Sequence, residues 1–193
     1  EVNRAPERAD FSTFYEESTA MAHSHTIVAH LRYSTMGKPC ECNCHPFKWN
    51  HRGRDWLLAH NGHVGGTSPH PLAEGDTDSE RIFIQIMKKV GEYQEGGRIR
   101  GQIPALKKAI RHIFDTYDTD INLNLLISDG HHLYVFHHYP GKPIYMLERS
   151  KQYGGAVLVS TVPLSDEGWV PLAPDRLLVI NHGEIQLYAD PLI

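Results

Sequence analysis

Three short segments of the chain each combine a polar side chain with tight backbone geometry, as binding sites for small polar molecules do. Arg32 follows an apolar run and precedes a glycine turn, so its guanidinium could clamp a carboxylate through two parallel hydrogen bonds. Asn61 and Gly62 place a side-chain amide beside an unhindered N–H, and both groups are good donors to an oxyanion. Asp78 lies at a predicted helix start, where a carboxylate could receive the ammonium group of a ligand.

Each segment also has an ordinary structural interpretation. An arginine at a strand end usually forms an ion pair. Asn-Gly between two apolar runs usually forms a hairpin turn, and carboxylates at a helix start are explained by capping and by the helix dipole. Together, however, the three segments offer groups for a carboxylate, an oxyanion and an ammonium. This combination predicts a pocket for the amide of an α-amino acid.

The order of these segments resembles that of the class II glutamine amidotransferases. That family carries His-x-Arg-x-x-Thr-x-Gly, then Asn-x-His-Pro, then His-Asn-Gly, then Thr-Asp-Ser/Thr-Glu. This chain has, in the same order, His30-Leu-Arg-Tyr-Ser-Thr-Met-Gly37, Asn43-Cys-His-Pro46, His60-Asn-Gly62 and Thr77-Asp-Ser-Glu80. The resemblance covers essentially the whole chain. It implies an α+β fold, the four-layer αββα sandwich of antiparallel sheets found in N-terminal-nucleophile hydrolases.

The resemblance also implies a role for each matching residue. Arg32 would bind the α-carboxylate of glutamine, and Asp78 its α-ammonium. Asn61 and the N–H of Gly62 would form the oxyanion hole.

Two further residues of the arginine motif, Tyr33 and Thr35, would line or support the pocket. No cofactor and no metal are expected. The expected substrate is glutamine or a γ-glutamyl compound, and the chain would either deliver the released ammonia to a partner protein or simply hydrolyse a γ-glutamyl compound. No nucleic acid or membrane partner is expected, since the formal net charge is -4.

The family's nucleophile is an N-terminal cysteine whose free α-amino group acts as general base. This sequence begins at Glu1, which has no thiol, and 31 residues precede Arg32. We therefore expect a single domain over residues 1–193 that is incomplete at its N-terminus, with the nucleophile upstream. The alternative is a catalytically inactive module that keeps the glutamine pocket as a sensor.

All three cysteines lie in the segment Cys40-Glu-Cys-Asn-Cys44. An odd number in one short stretch does not suggest a disulfide framework, and reduced loop thiols are the simpler prediction. Zinc ligands are usually spaced more widely, so a metal site is the weaker interpretation. The pairs His131-His132 and His137-His138 are predicted to be exposed strand-end residues. Without a signal sequence or an apolar run of membrane-spanning length, we expect a cytoplasmic protein.

The elements that must position these residues follow from hydrophobic periodicity. Residues 26–33 and 55–60 are predicted as strands, the second ending at an Asn61-Gly62 turn. A capping box at Thr77 and Glu80 begins one amphipathic helix, and residues 103–117 form a second. Six strands follow, at residues 121–125, 133–136, 144–147, 156–160, 177–180 and 184–188. Strands, two consecutive helices and then strands indicate an α+β fold with layered sheets.

Overall fold

The computed structural model describes residues 1–32, 38–95, 101–118, 120–149 and 154–193. Three helices lie in these ranges: α1 (Thr13–Met21), α2 (Asp78–Glu95) and α3 (Gln102–Thr116). The strands are β1 (Phe47–His51), β2 (Arg54–Val64), β3 (Ile121–Ser128), β4 (His132–His138), β5 (Tyr145–Arg149), β6 (Ala156–Ser160), β7 (Val170–Pro171), β8 (Leu177–Asn181) and β9 (Glu184–Tyr188). None of the helices in these ranges is long and apolar enough to cross a membrane.

The two predicted amphipathic helices are present as α2 and α3. Their apolar residues recur every three or four positions, which places them on one face of each helix. That face is fully covered, since each of its largest side chains is at most 1% exposed: Ile82, Phe83, Ile86, Met87 and Val90 on α2, and Leu106, Ile110 and Ile113 on α3. The two helices pack against each other, and α2 packs on β1 and β2.

Two antiparallel sheets complete the layers. The larger sheet has the order β1-β2-β3-β4-β8-β9, and the smaller has the order β6-β5-β7. Because side chains alternate along a strand, Leu125 and Phe136 face the core beneath the helices, whereas Leu126 and Val135 face a second core shared with the small sheet. Helices, large sheet and small sheet thus stack as α-β-β, which confirms the predicted α+β fold with layered antiparallel sheets.

The predicted turn at Asn61-Gly62 is wrong. Both residues lie within β2, which continues to Val64. Asn61 pairs with Asn124, and Gly62 pairs with Leu123. The local Asn-Gly preference is overridden because β3 is long enough to carry the ladder through these positions.

The prediction of a strand at residues 26–33 is also wrong for residues 26–32, which are irregular; residue 33 lies outside the described ranges. Side chains in this segment still alternate between exposed and partly buried, although the segment forms no hydrogen-bonded ladder with a described strand. Ile27 is 57% exposed and Leu31 is 63% exposed, whereas His30 and Arg32 are partly buried. This extended segment therefore directs His30 and Arg32 towards the body of the protein.

β1 lies between the predicted strands 26–33 and 55–60, where no strand was predicted, and it begins directly after a run rich in cysteine, asparagine and proline. It pairs with β2 from Phe47, opposite Leu58, to His51, opposite Arg54. Since β1 begins at Phe47, the stretch of β2 from residue 59 to 64 extends beyond it. Pro46 cannot supply an N–H to continue the ladder.

Candidate functional site

The first turn of α2 is fastened to the end of β2. The backbone N–H of Val64 donates to Asp78 Oδ2 at 2.8 Å, and His63 Nδ1 lies 3.2 Å from the same oxygen. Asp78 is only 8% exposed, and the helix N-terminus favours a carboxylate at this position. Neither contact uses Oδ1, which leaves that oxygen for a ligand.

The predicted capping box is half right. Thr77 Oγ1 accepts a hydrogen bond from the N–H of Glu80 at 3.3 Å, as predicted. The reciprocal bond is wrong: the Glu80 carboxylate accepts from the N–H groups of Glu74 and Gly75, both at 2.8 Å. The chain before α2 folds back over the first turn of the helix. The Glu80 carboxylate therefore binds the backbone of this loop, at Glu74 and Gly75, instead of the N–H of Thr77.

His60 connects β2 to α2 and to β3. Its Nε2 lies 3.0 Å from the backbone oxygen of Asn122, and its Nδ1 lies 2.9 Å from Ser79 Oγ. A carbonyl oxygen can only accept, so Nε2 carries the proton and Nδ1 accepts from the serine hydroxyl. Burial lowers the pKa of His60, which keeps the ring in this neutral form.

Gly62 leaves the room that this contact needs. A Cβ built at Gly62 would lie 2.6 Å from His60 Nε2 and would overlap the carbonyl group of Asn122. Any side chain would therefore displace either the imidazole or the neighbouring strand. Glycine is therefore required at position 62 by the packing of His60 and Asn122, in addition to its predicted role as an N–H donor.

Asn61 occupies the position beside it on the opposite face of β2. Asn124 Nδ2 donates to Asn61 Oδ1 at 3.5 Å, the outer limit of a hydrogen bond. In the ranges that the structure describes, no residue accepts a hydrogen bond from Asn61 Nδ2. The amide N–H₂ of Asn61 is thus available to a ligand.

Arg32 joins the site through the loop before β1. Its Nη1 donates to the backbone oxygen of Asn43 at 3.3 Å. Asn43 is 2% exposed and is bound on both sides: Nδ2 donates to the Lys38 carbonyl (3.0 Å) and to Asp76 Oδ1 (2.6 Å), and Oδ1 accepts from the N–H of Asp76 (3.0 Å). Asn43 therefore connects Arg32, through its backbone oxygen, to Asp76 in the segment directly before Asp78.

Two neutral histidines lie next to this arginine. The rings of His30 and His45 are 4.2 Å apart, and the His45 ring meets Phe47 edge-on at 4.8 Å. Burial, with the neighbouring imidazoles and the charge of Arg32, lowers the pKa of His30 to about 4 and that of His45 to about 2. At neutral pH the positive charge of this region therefore resides on Arg32.

The prediction of three reduced cysteines is wrong, because Cys40 and Cys42 form a disulfide. The short 3-10 turn at Glu41–Asn43 folds the chain so that their Cα atoms are 5.3 Å apart, within the usual range for a bridge. The remaining thiol, Cys44, donates to the Cys40 carbonyl at 3.3 Å, and burial raises its pKa. A thiol with a raised pKa is a poor nucleophile.

Within the described ranges, no group of three or more histidine, cysteine, aspartate or glutamate side chains could hold a metal ion.

The prediction that the histidine pairs of the β3–β4 hairpin are exposed is wrong for three of the four residues. His137 is 7% exposed, because β4 lies between β3 and β8 in the interior of the sheet. His137 Nδ1 lies 2.7 Å from Asn124 Oδ1, and His138 Nδ1 lies 2.5 Å from Asp175 Oδ1. His131 is exposed, and His132 is partly buried.

Four of the six residues proposed from sequence can thus be placed. Asn61, Gly62 and Asp78 lie where the end of β2 meets the start of α2, and Arg32 is connected to the same helix start through Asn43. Tyr33 and Thr35 fall outside the described residues.

The sequence analysis gave no role to Asn43, His63 or Asn124. Asn43 had a detectable signal in the Asn-Cys-His-Pro motif. The other two depend on contacts between strands or between a strand and a helix.

Comparison with known proteins gives independent findings. The family model described as "Glutamine amidotransferases class-II" matches residues 12–156. The Escherichia coli (strain K12) protein named "Putative glutamine amidotransferase YafJ" is 30% identical over 138 residues, covering 69% of this chain and 52% of that protein. The chain spans about half the length of the curated relatives it matches.

The solved structures similar to this one include the following two. A predicted glutamine amidotransferase from Pseudomonas aeruginosa PA01 has 25% identity and a TM-score of 0.62, covering 76% of this chain and 65% of that one. A glutamine aminotransferase class-II domain protein from Silicibacter pomeroyi has 24% identity and a TM-score of 0.68, covering 98% of this chain and 84% of that one. Because its identity is below 25%, the Silicibacter pomeroyi structure shows only that the two proteins share a fold.

Proposed function

The chain belongs to the class II glutamine amidotransferases, and from that membership we propose that it forms the glutaminase site of an enzyme that releases ammonia from glutamine or a γ-glutamyl compound. The observation that carries the proposal is the meeting of β2 and α2. There the unused Oδ1 of Asp78 and the unused N–H₂ of Asn61 are both held by elements that are hydrogen-bonded to each other.

In this proposal each group has one task. Arg32 binds the α-carboxylate of the substrate, and Asp78 Oδ1 accepts from its α-ammonium. A cysteine thiolate attacks the side-chain amide carbon, and the negative charge that develops on the amide oxygen is stabilised by Asn61 Nδ2 and the N–H of Gly62. The C–N bond then breaks, ammonia leaves with the added proton, and water hydrolyses the γ-glutamyl thioester.

The attacking thiolate is proposed to come from a cysteine upstream of this sequence. Cys40 and Cys42 are joined in a disulfide, which removes both as nucleophiles. Burial raises the pKa of Cys44, which lowers its thiolate fraction at neutral pH. Tyr33 and Thr35 are proposed to line the pocket on the strength of the motif alone.

We propose a cytoplasmic location, with the ammonia either released into solvent or delivered to a partner protein that accepts it. The Cys40–Cys42 disulfide argues against the cytoplasmic location, because disulfides are rare in reducing compartments. Cell fractionation tests the location, and co-purification with an ammonia-consuming enzyme tests the partner. Recovery in an oxidising compartment would contradict the cytoplasmic assignment.

The experiment is ammonia release from glutamine by the full natural chain. Arg32→Ala and Asp78→Ala should raise KM strongly, because each removes a charged contact to the substrate's backbone. Asn61→Ala should lower kcat by roughly a hundredfold, the usual effect of losing one oxyanion donor. Asn50→Ala, which removes an exposed side-chain amide from β1, is the matched control and should change neither constant. A glutamine affinity unaltered by Arg32→Ala would refute the pocket.

A catalytically inactive glutamine sensor is the second candidate, favoured by the lack of a reactive thiol among Cys40, Cys42 and Cys44. A glutamine-like diazoketone, which alkylates an attacking thiol, separates the two. One adduct on a cysteine upstream of residue 1, located by peptide mass spectrometry, supports the enzyme. Glutamine binding without any adduct supports the sensor.

A further inference from the structure

Three polar side chains form a row across the middle of the large sheet. Asn61 on β2 is paired directly with Asn124 on β3, and Asn124 is paired directly with His137 on β4. Side chains of directly paired residues stand on the same face of a sheet. Asn124 is 3% exposed and His137 is 7% exposed, so the row runs from the proposed oxyanion donor into the protein interior.

The hydrogen bonds of this row have a fixed direction. Asn124 Nδ2 lies 2.9 Å from the backbone oxygen of Lys142, which can only accept, so this side of the amide must be its N–H₂. Asn124 Oδ1 then faces His137 Nδ1 at 2.7 Å, which makes Nδ1 the protonated nitrogen of that ring. Burial lowers the pKa of His137, in agreement with a neutral ring that carries one proton.

The orientation of Asn61 follows from the same direction. Asn124 Nδ2 also points to Asn61 Oδ1 at 3.5 Å, so the oxygen of the Asn61 amide faces the row and its N–H₂ faces away. A rotated Asn61 amide would place two N–H₂ groups against each other. Hydrogen bonds of catalytic groups are often long without substrate and shorten in the reacting complex.

We propose that Asn124 and His137 are positioning residues that hold the Asn61 amide with its N–H₂ towards the oxyanion. The proposal rests on the proposed function of Asn61 and extends it to two buried residues that never touch the substrate. His137 fixes the Asn124 amide, and Asn124 fixes the Asn61 amide. Their contribution is to kcat, since the oxyanion exists only after the thiolate has attacked.

The kinetic test uses the full natural chain with glutamine. Asn124→Ala should lower kcat roughly three- to thirtyfold, the range expected for losing one or two neutral hydrogen bonds, with KM within about twofold. His137→Leu should have a similar effect. His137→Asn should recover most of kcat, because its amide nitrogen takes the place of Nδ1 and still donates to Asn124. Equal losses in His137→Asn and His137→Leu would contradict the ordered row.

A double-mutant cycle separates positioning from a general structural role. If Asn124 acts through Asn61, Asn124→Ala should change kcat by less than about twofold once Asn61 is alanine. A full, additive loss in that background would overturn the inference. If Asn61→Ala leaves kcat unchanged, the proposed function fails first; if Asn61→Ala lowers kcat and Asn124→Ala does not, the positioning inference alone fails.

A second readout needs no turnover and uses the 193-residue chain. The side-chain amide of Asn61 should give an NMR order parameter typical of a restricted group, and Asn124→Ala and His137→Leu should lower it. Asn50→Ala should leave it unchanged. An Asn61 order parameter that is the same in the parent chain and in Asn124→Ala would overturn the inference.

Discussion

Replacing Gly62 by alanine tests the geometry at the end of β2 without any assay of activity. The added Cβ would overlap the Asn122 carbonyl and lie 2.6 Å from His60 Nε2. Neither of these two neighbours can move without a cost in free energy. One neighbour is the backbone of a central strand, and the other is a fully buried ring held by Ser79.

The loss of folding free energy can be calculated from the groups that the added Cβ displaces. If the imidazole shifts, the hydrogen bond to Asn122 is lost, and a buried donor without a partner costs about 1–3 kcal/mol. The built Cβ also overlaps the Asn122 carbonyl, so the strand must shift as well, and the strain of an overpacked core is typically about 1–3 kcal/mol more. We therefore expect Gly62→Ala to lower the free energy of unfolding by the sum of the two costs, roughly 2–6 kcal/mol. At about 2–4 °C per kcal/mol for a chain of this length, that corresponds to a fall in Tm of roughly 4–24 °C.

The assay is thermal unfolding followed by circular dichroism, with Gly168→Ala as the matched control. Gly168 has no heavy atom within 4 Å of its built Cβ, so the same substitution should leave Tm unchanged or raise it slightly. A Gly62→Ala protein that melts within about 2 °C of the parent chain would refute the packing of His60 over Gly62.

Three further predictions concern the loop before β1. The free energy of unfolding should fall from pH 7 to pH 5, because His30 and His45 stay neutral in the folded chain, with pKa values of about 4 and about 2, but bind protons below their ordinary value of 6.5 when unfolded; equal urea midpoints at both pH values would contradict this. Iodoacetamide under denaturing, non-reducing conditions should label one cysteine per chain, Cys44, and mass spectrometry showing three labelled cysteines would exclude the disulfide. Asn43→Ala should raise KM for glutamine and lower the free energy of unfolding by about 1–3 kcal/mol, because it removes a buried amide that is hydrogen-bonded to Lys38 and Asp76; an unchanged urea midpoint would contradict this.

The helices could be predicted because their signal is local. The apolar residues of α2 and α3 recur at helical spacing, and most of them are buried where that spacing places them; Ile103 and Phe114 are partly buried beside the core. The strands β6 and β9 also have the predicted bounds, since each is a short alternating or apolar run flanked by turn residues. In these segments the local preference and the tertiary packing agree.

The errors arise where the outcome depends on a partner distant in sequence. Asn61-Gly62 has the composition of a turn, but β3 supplies a ladder that keeps it extended. Residues 26–32 have the composition of a strand, but no described strand pairs with them. The row from Asn61 to His137 was not predicted, because it requires the register of three strands.

The start of α2 shows why a candidate site could be predicted from sequence while its hydrogen-bonded connections could not. Four consecutive residues make four different attachments: Thr77 caps the helix, Asp78 accepts from β2, Ser79 donates to His60, and Glu80 holds the preceding loop. A capping motif specifies the helix start, but the destinations of the other side chains depend on how the sheet approaches it. Asp78 and Asn61 are both held by this same junction. Under the proposed function, a ligand ammonium bound at Asp78 Oδ1 would therefore be positioned relative to the proposed oxyanion donors by the contact between β2 and α2.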